Sequence, residues 1–462
     1  MPSFDSYTFP SRHRSHALPG GGTNNTESLP PSLPAPAAIQ TWGFWRAPHA
    51  YLELCRKRLG SPFTIKAFGK PPMIFMSHPA EIGRIISAPA DVLHPGEGAS
   101  VIRPLVGEHS FMLLEEPEHM TVRKVIMPAY HSAVVAEHAA MVRDLAEREI
   151  ADWPVNRPFA AHPRLRSLTL RVILTSIFGN EDSRLNELHS RLLKMLAVTG
   201  SLALQQPQLR IMPRWRAVWR SFLSERIHVN ALLSGLINDE VRAKSGALAL
   251  LLGAGSEPPV TDEVRDHLMS LVLAGHETTA SQLAWAFQLL AHNPTVLTTL
   301  TDELADGGQA YLIATVQEVL RHRSVFLFTI PRALAAPVEI AGRRYRPPGQ
   351  LMGCIHLMHH DPDLYTAPHR FHPERFLDSP PSPGLWMPWG GGRKRCPGHS
   401  LATLEMQTVL REALTRWSLR PAGAPETARW RSVIVTPEHG CRIVVHPRTR
   451  RRTLQKPGGG AP

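Results

Sequence analysis

Residues 389–398 read Trp389-Gly390-Gly391-Gly392-Arg393-Lys394-Arg395-Cys396-Pro397-Gly398, and the fold follows from how this stretch is read. Three consecutive glycines permit backbone angles closed to other residues and allow close approach to a flat ligand. Three cations and a helix start at His399 surround Cys396, a setting that favours the ionised thiol. Gly398 lets the backbone fold about the sulfur, and its N–H can tune the sulfur as a donor. A lone cysteine is commonly a small buried hydrophobe. A glycine-rich loop can also cradle phosphate, but the Lys-Ser/Thr ending that such a loop needs is absent here. The aromatic residue, glycines, cations and Cys-x-Gly in this order point to a metal-binding thiolate.

Outward from this loop the chain reads as mainly helical. Thr261-Asp262-Glu263 offers a capping oxygen and two acids at a helix start, and Asn293-Pro294 stops the pattern after His292. That is about 45 Å of helix at ~1.5 Å per residue, enough to cross a domain. Further helices are expected over 118–127, 133–152, 168–178 and 311–322. Strand-like segments are confined to stretches such as Val325–Ile330, Val338–Ile340 and Leu351–Leu357. Midway along the long helix lies Ala274-Gly275-His276-Glu277-Thr278. Gly and Thr are poor interior residues. A mid-helix Thr bonds back to the carbonyl four residues earlier, here Ala274, and can open a groove beside Gly275. His276 reads as a packing or surface residue.

Two more patterns complete the set. Glu318 and Arg321 stand at i and i+3 on one helix face, ordinarily a surface pair, and Pro373-Glu374-Arg375-Phe376 follows. Glu118-His119-Met120-Thr121-Val122-Arg123 places a histidine and an arginine four apart, groups suited to a carboxylate.

Taken together, these motifs resemble the cytochrome P450 family, whose cysteine loop runs aromatic, Gly, basic residue, Cys-x-Gly. The resemblance spans about Thr41 to Val445. It implies a mainly α fold with a small β portion, a triangular helical prism whose long central helix crosses the haem. Cys396 would ligate the iron of haem b. His119, Arg123, Arg332 and Lys394 would meet its propionates, and Glu277 and Thr278 would handle dioxygen and its protons. Glu318, Arg321 and Arg375 would form a buried structural network. Trp389 departs from the family's usual Phe, and Lys394 from its usual Arg or His.

The implied reaction is insertion of one oxygen atom from dioxygen into a hydrophobic small molecule, by hydroxylation or epoxidation. A terpenoid or polyketide-like compound is the expected substrate. Leu271, Ala274, Val325, Phe326 and Leu327 are the expected pocket residues, although 325–330 reads equally well as ordinary core. Electrons would come from NAD(P)H through a ferredoxin reductase and a ferredoxin, the latter docking on a basic surface at Arg393, Lys394 and Arg395. The alternatives are a peroxide-using or isomerising haem-thiolate enzyme, against which the Glu277-Thr278 pair argues, and a non-catalytic basic ligand- or DNA-binding protein.

Composition is consistent with this reading. The chain of 462 residues is 43% hydrophobic and 19% charged, as for a globular protein. Its 51 Lys and Arg against 39 Asp and Glu give a net charge of +12, which favours acidic partners. No nucleic-acid motif accompanies that charge, so no nucleic-acid partner is expected. Four scattered cysteines without a C-x-x-C fit a reducing cytoplasm. No signal peptide or membrane span is legible, and a cytoplasmic monomer is expected. Residues 1–40, with seven Pro, six Ser and three Gly, read as a flexible leader. One domain then covers 41–446, and 447–462 reads as a basic flexible tail.

Overall fold

The computed structural model describes residues 29–179, 183–201, 204, 206–239, 246–253 and 260–448. Helices dominate. The longer ones are α1 (Ala37–Arg46), α2 (Pro48–Leu59), α3 (Pro79–Ser87), α4 (Glu118–Ile126), α5 (Ala139–Ala151), α6 (Ala161–Phe178), α7 (Arg184–Met195), α8 (Pro213–Asp239), α9 (Thr261–His292), α10 (Pro294–Ala305), α11 (Ala310–His322) and α12 (His399–Arg416). Strands β1 (Phe63–Ile65), β2 (Met73–Met76), β3 (Leu93–His94), β5 (Arg332–Leu334) and β8 (Gln350–Gly353) form one sheet in the order β1-β2-β8-β5-β3. A second sheet joins β4 (Phe159–Ala160), β12 (Arg442–Pro447) and β9 (Trp417–Pro421). β6 (Val338–Ile340) pairs with β7 (Arg343–Tyr345), and β10 (Ala428–Arg431) with β11 (Ile434–Pro437).

The long central helix occupies the range read from sequence. It carries Asp262 and Glu263 in its first turn, where acids complement the helix dipole. Its N-cap is Val260 rather than Thr261, so the hydroxyl expected to cap does not do so. Asn293 closes the other end with its side-chain amide on the Leu289 carbonyl at 2.7 Å. Pro294 lacks the N–H that continuation would need and instead starts α10. Between these ends Leu268, Leu283, Ala284, Trp285, Phe287 and Leu290 are wholly or almost wholly buried, so α9 is the axis of the main core. No helix among the described residues is long and apolar enough to cross a membrane.

Several expectations need correction. The stretch 133–152 is two helices, Ser132–Glu137 and α5, joined at His138, whose backbone (φ −79°, ψ −5°) stays near helical so that the apolar pattern runs through. Residues 325–330 are not a strand. The Val325 carbonyl accepts from Val435, that of Leu327 accepts from His356, and the Thr329 N–H donates to Gly353. Each bond goes to a different neighbour, so no ladder forms. Leu351–Leu357 is divided between β8 and a short helix, Ile355–His359.

Packing also begins before residue 41. The Thr64 hydroxyl donates to the Pro30 carbonyl at 2.8 Å, and the buried Gln40 amide donates to the Leu33 and Ala35 carbonyls. At the other end Pro447 belongs to β12, while 449–462 lie outside the described residues.

Candidate active site

The cysteine loop owes its shape to its glycines. Gly390 and Gly392 have φ of 64° and 62°, a region closed to most residues. A Cβ at Gly392 would stand 2.6 Å from the Ile86 carbonyl oxygen, and one at Gly391 2.6 Å from Ile86 Cδ1 and 2.8 Å from Met387 Cε. The close approach expected toward a flat ligand is therefore made, at these two positions, toward α3. The Cys396 N–H donates to the Trp389 carbonyl at 3.0 Å, closing the loop ahead of α12.

Without a metal the thiol is not activated in the way the local charges suggest. Burial pushes Cys396 up from the usual thiol value, and the Gly398 N–H, Arg123 and Arg395 only partly offset it. Ionisation would instead come from coordination, since a metal deprotonates a ligating thiol outright. The basic surface expected at 393–395 is also smaller than the sequence suggests. Lys394 turns inward, its Nζ on the Leu114 carbonyl at 2.8 Å, and Arg393 pairs with Glu116. Arg395 stays exposed.

On the same side, α4 supplies His119 and Arg123, β5 supplies Arg332, and the loop supplies Lys394. These four groups press on one another. Burial and then the charges of Lys394, Arg123 and Arg332 push His119 down to about 3. Burial lowers Arg332 to about 10. It lowers Lys394 to about 7, where Arg332 and Arg123 add repulsion against the opposing pull of Glu115 and Glu116. His119 Nδ1 and Arg332 Nε are buried without a hydrogen-bond partner. Glu115 and Glu116 only partly balance these cations, Glu116 being already paired with Arg393, and the two propionates of a haem would supply the remaining negative charge. The donor set fits the cofactor, and Lys394, despite being a lysine, sits among the other three.

The middle of α9 is the segment expected to handle dioxygen. Thr278 Oγ1 donates to the Ala274 carbonyl at 2.6 Å, as the sequence suggested. Ala274 and Thr278 share one helix face and are incompletely covered, whereas His276, Glu277, Thr279 and Ala280 beside them are buried. Gly275 is likewise incompletely covered, but a Cβ there would meet Ile173 of α6 at 3.0 Å, so its lack of a side chain serves helix packing. Among the expected pocket residues, Ala274 and Phe326 keep accessible surface. Leu271 and Val325 are buried in the main core, and Leu327 in a second cluster with Phe44, Phe63 and Phe75, so these three offer almost no surface to a substrate.

Glu277 is only 4% exposed. Arg166 Nε on α6 and Arg431 Nε on β10 each approach one of its oxygens at 2.7 Å, with His162 Nε2 at 3.4 Å and His276 Nε2 at 3.5 Å. Burial opposes its charge, but the two histidines and Arg431 outweigh it and hold the carboxyl well below the usual range. His276 is a packing residue, wholly buried. The sequence reading missed Arg166, Arg431 and His162, which lie more than a hundred residues from Glu277 and share no local pattern with it.

On α11, Arg321 and Glu318 are both fully buried and paired through two contacts of 2.7 and 2.8 Å. Arg375 Nε reaches the same carboxylate at 3.1 Å. The expected network is thus brought together. Arg321 also donates to the carbonyls of His359 at 2.6 Å and Pro368 at 2.9 Å.

The family model described as Cytochrome P450 matches residues 28–445. The chain belongs to the cytochrome P450 family. It is 34% identical over 436 residues to cytochrome P450 135B1 of Mycobacterium tuberculosis, covering 90% of this chain and 91% of that protein. To cytochrome P450 135A1 of the same organism it is 30% identical over 439 residues, covering 92% and 97%. Its fold is similar to the cytochrome P450DA heme domain (TM-score 0.78, 20% identity, 92% and 98% covered). It is also similar to a retinoic acid-bound cyanobacterial CYP120A1 (TM-score 0.77, 21% identity, 91% and 99% covered). As a cytochrome P450 the chain is a haem-thiolate monooxygenase, an oxidoreductase.

Proposed function

We propose that this cytochrome P450 inserts one oxygen atom of dioxygen into an apolar small molecule of terpenoid or polyketide-like skeleton, by hydroxylation or epoxidation. Its electrons come from NAD(P)H through a ferredoxin reductase and a ferredoxin, and it works as a cytoplasmic monomer. In the same reading Cys396 ligates the haem b iron, and His119, Arg123, Arg332 and Lys394 hold the propionates. Thiolate ligation supplies the electron donation that favours O–O cleavage when the cofactor is bound.

The remaining work falls to the chain itself. The observation that carries the reading is the Thr278 hydroxyl, held by the Ala274 carbonyl at 2.6 Å where the otherwise buried middle of α9 is incompletely covered. Its O–H is committed to that carbonyl, so its lone pairs are presented toward the opening. Glu277, next in sequence, keeps an ionised carboxylate at hand as the proton carrier. Ala274 and Phe326, which keep accessible apolar surface, would line the substrate space and exclude water from it. Arg395, exposed beside the cysteine loop, offers positive charge to an acidic ferredoxin.

The test is turnover of a panel of terpenoid and polyketide-like compounds with ferredoxin, ferredoxin reductase and NAD(P)H, against peroxide alone. Oxygenated product only with the electron-transfer partners is the expected result. Equal product from peroxide alone, or a Glu277→Gln variant with unchanged product per NAD(P)H, overturns it.

A further inference from the structure

Glu277's four partners differ in whether they can pass a proton. Arg166 and Arg431 cannot, because a guanidinium stays protonated in proteins. His276 is wholly buried and has no face on solvent. His162 differs from all three. It is the second residue of α6, pinned by its N–H on the Gly440 carbonyl at 2.9 Å. It lines a cavity of about 900 Å³, together with Val198, Trp215, Phe222, Arg431 and His439. A polar-walled space of this size holds water.

The hydrogen bonds assign the ring's tautomer. Ser281 has one O–H, and it donates to the Glu277 main-chain carbonyl at 2.7 Å. Its oxygen is therefore the acceptor for His162 Nε2 at 3.1 Å, so Nε2 carries the hydrogen. That N–H also lies 3.4 Å from Glu277 Oε1. The ring's recorded hydrogen bond among the described residues is through Nε2, which leaves Nδ1 as a lone pair, and the cavity that His162 lines is where water can reach it.

We propose that His162 is a relay residue that carries protons from cavity water to Glu277. A hydronium in the cavity protonates Nδ1 and the Nε2 proton passes to Glu277 Oε1; exchange with cavity water then resets the ring, which releases the Nδ1 proton and takes one up at Nε2 as it swings toward the cavity. One proton crosses and no electron moves. Burial, then Arg431 and Arg166, oppose an imidazolium here, while Glu277 favours it; the balance keeps the resting ring neutral and its charge transient. The inference rests on the reading of Glu277 as the proton carrier for Thr278.

The experiment pairs two measurements. His162→Gln keeps an N–H where Nε2 stood, so the Ser281 contact survives while relay chemistry does not. In the holoenzyme with its electron-transfer partners, the variant should lower turnover about tenfold, below the usual range for losing an acid–base group because water can partly substitute. It should also raise the solvent deuterium isotope effect on turnover, which a structural role would not move. Independently, ring ¹⁵N shifts of His162 in the reduced, carbon-monoxide-bound wild type should show Nδ1 unprotonated; this readout stands even if the variant fails to fold. Protonated Nδ1, or His162→Gln with wild-type turnover and isotope effect, overturns the proposal. If Glu277→Gln impairs coupling while His162→Gln is silent, only the relay fails; if Glu277→Gln is also silent, the reading of the site fails with it.

Discussion

Replacing Arg321 with Met tests the buried network most directly, and the structure sets the size of the effect. The substitution removes both contacts to Glu318 and the donors to the His359 and Pro368 carbonyls. Glu318, fully buried, keeps the His372 N–H at 2.9 Å and Arg375 at 3.1 Å, but loses its principal counter-charge. Breaking a buried pair from one side costs about 3–5 kcal/mol, and two stranded carbonyls push the value to the upper end. Against a usual stability of about 5–15 kcal/mol, the variant still folds but unfolds at clearly lower urea. Removing the charge as well, in the Glu318→Gln/Arg321→Met double variant, should recover part of the loss, because no carboxylate is then left uncompensated. The assay is urea denaturation of the haem-loaded protein, followed by tryptophan fluorescence and by the Soret band. A cost below about 1 kcal/mol, the value of a solvated surface pair, would refute the reasoning. So would a double variant less stable than the single one.

Three further outcomes are expected. Cys396→Ser should abolish the red-shifted Soret band of the reduced, carbon-monoxide-bound protein, and retention of that band would remove the axial assignment. Thr278→Val preserves shape while losing the hydroxyl, so stability should change by less than about 1 kcal/mol while peroxide released per NAD(P)H rises and product falls; unchanged partitioning would count against the role of the hydroxyl. Acid should destabilise the fold through a group of buried histidines, His322, His356, His359 and His360, all pushed down chiefly by burial. For His359, held at about 3, the unfolded chain binds the extra proton below pH ~6.5, so its contribution is intact above that value and is lost as pH falls, by about 3 kcal/mol at two units below. Urea midpoints flat between pH 7 and 5 would contradict this.

What the sequence reveals follows from the range of the forces involved. The limits of α9, the back-bond of Thr278 and the Glu318–Arg321 spacing are local, set by residues within one or two turns, and the structure shows each of them. The clamp on Glu277 was not legible, because Arg166, His162 and Arg431 approach from α6 and from a hairpin far along the chain. Residues 325–330 mislead for a related reason: their apolar pattern suits a strand, but tertiary neighbours take their backbone bonds one at a time. The behaviour of Cys396 shows the same limit, since adjacent cations are visible in sequence and burial is not.

The two inner glycines of the cysteine loop impose different evolutionary constraints. At Gly391 the obstructing atoms are the tips of Ile86 and Met387, so a larger residue could be tolerated in a lineage that first trimmed those side chains. At Gly392 the obstruction is the main-chain oxygen of residue 86, which every amino acid carries, and the backbone angle is unfavourable as well. No mutation elsewhere can relieve that conflict, so descendants that keep this loop against α3 should vary at 391 together with 86 and 387, while 392 stays invariant.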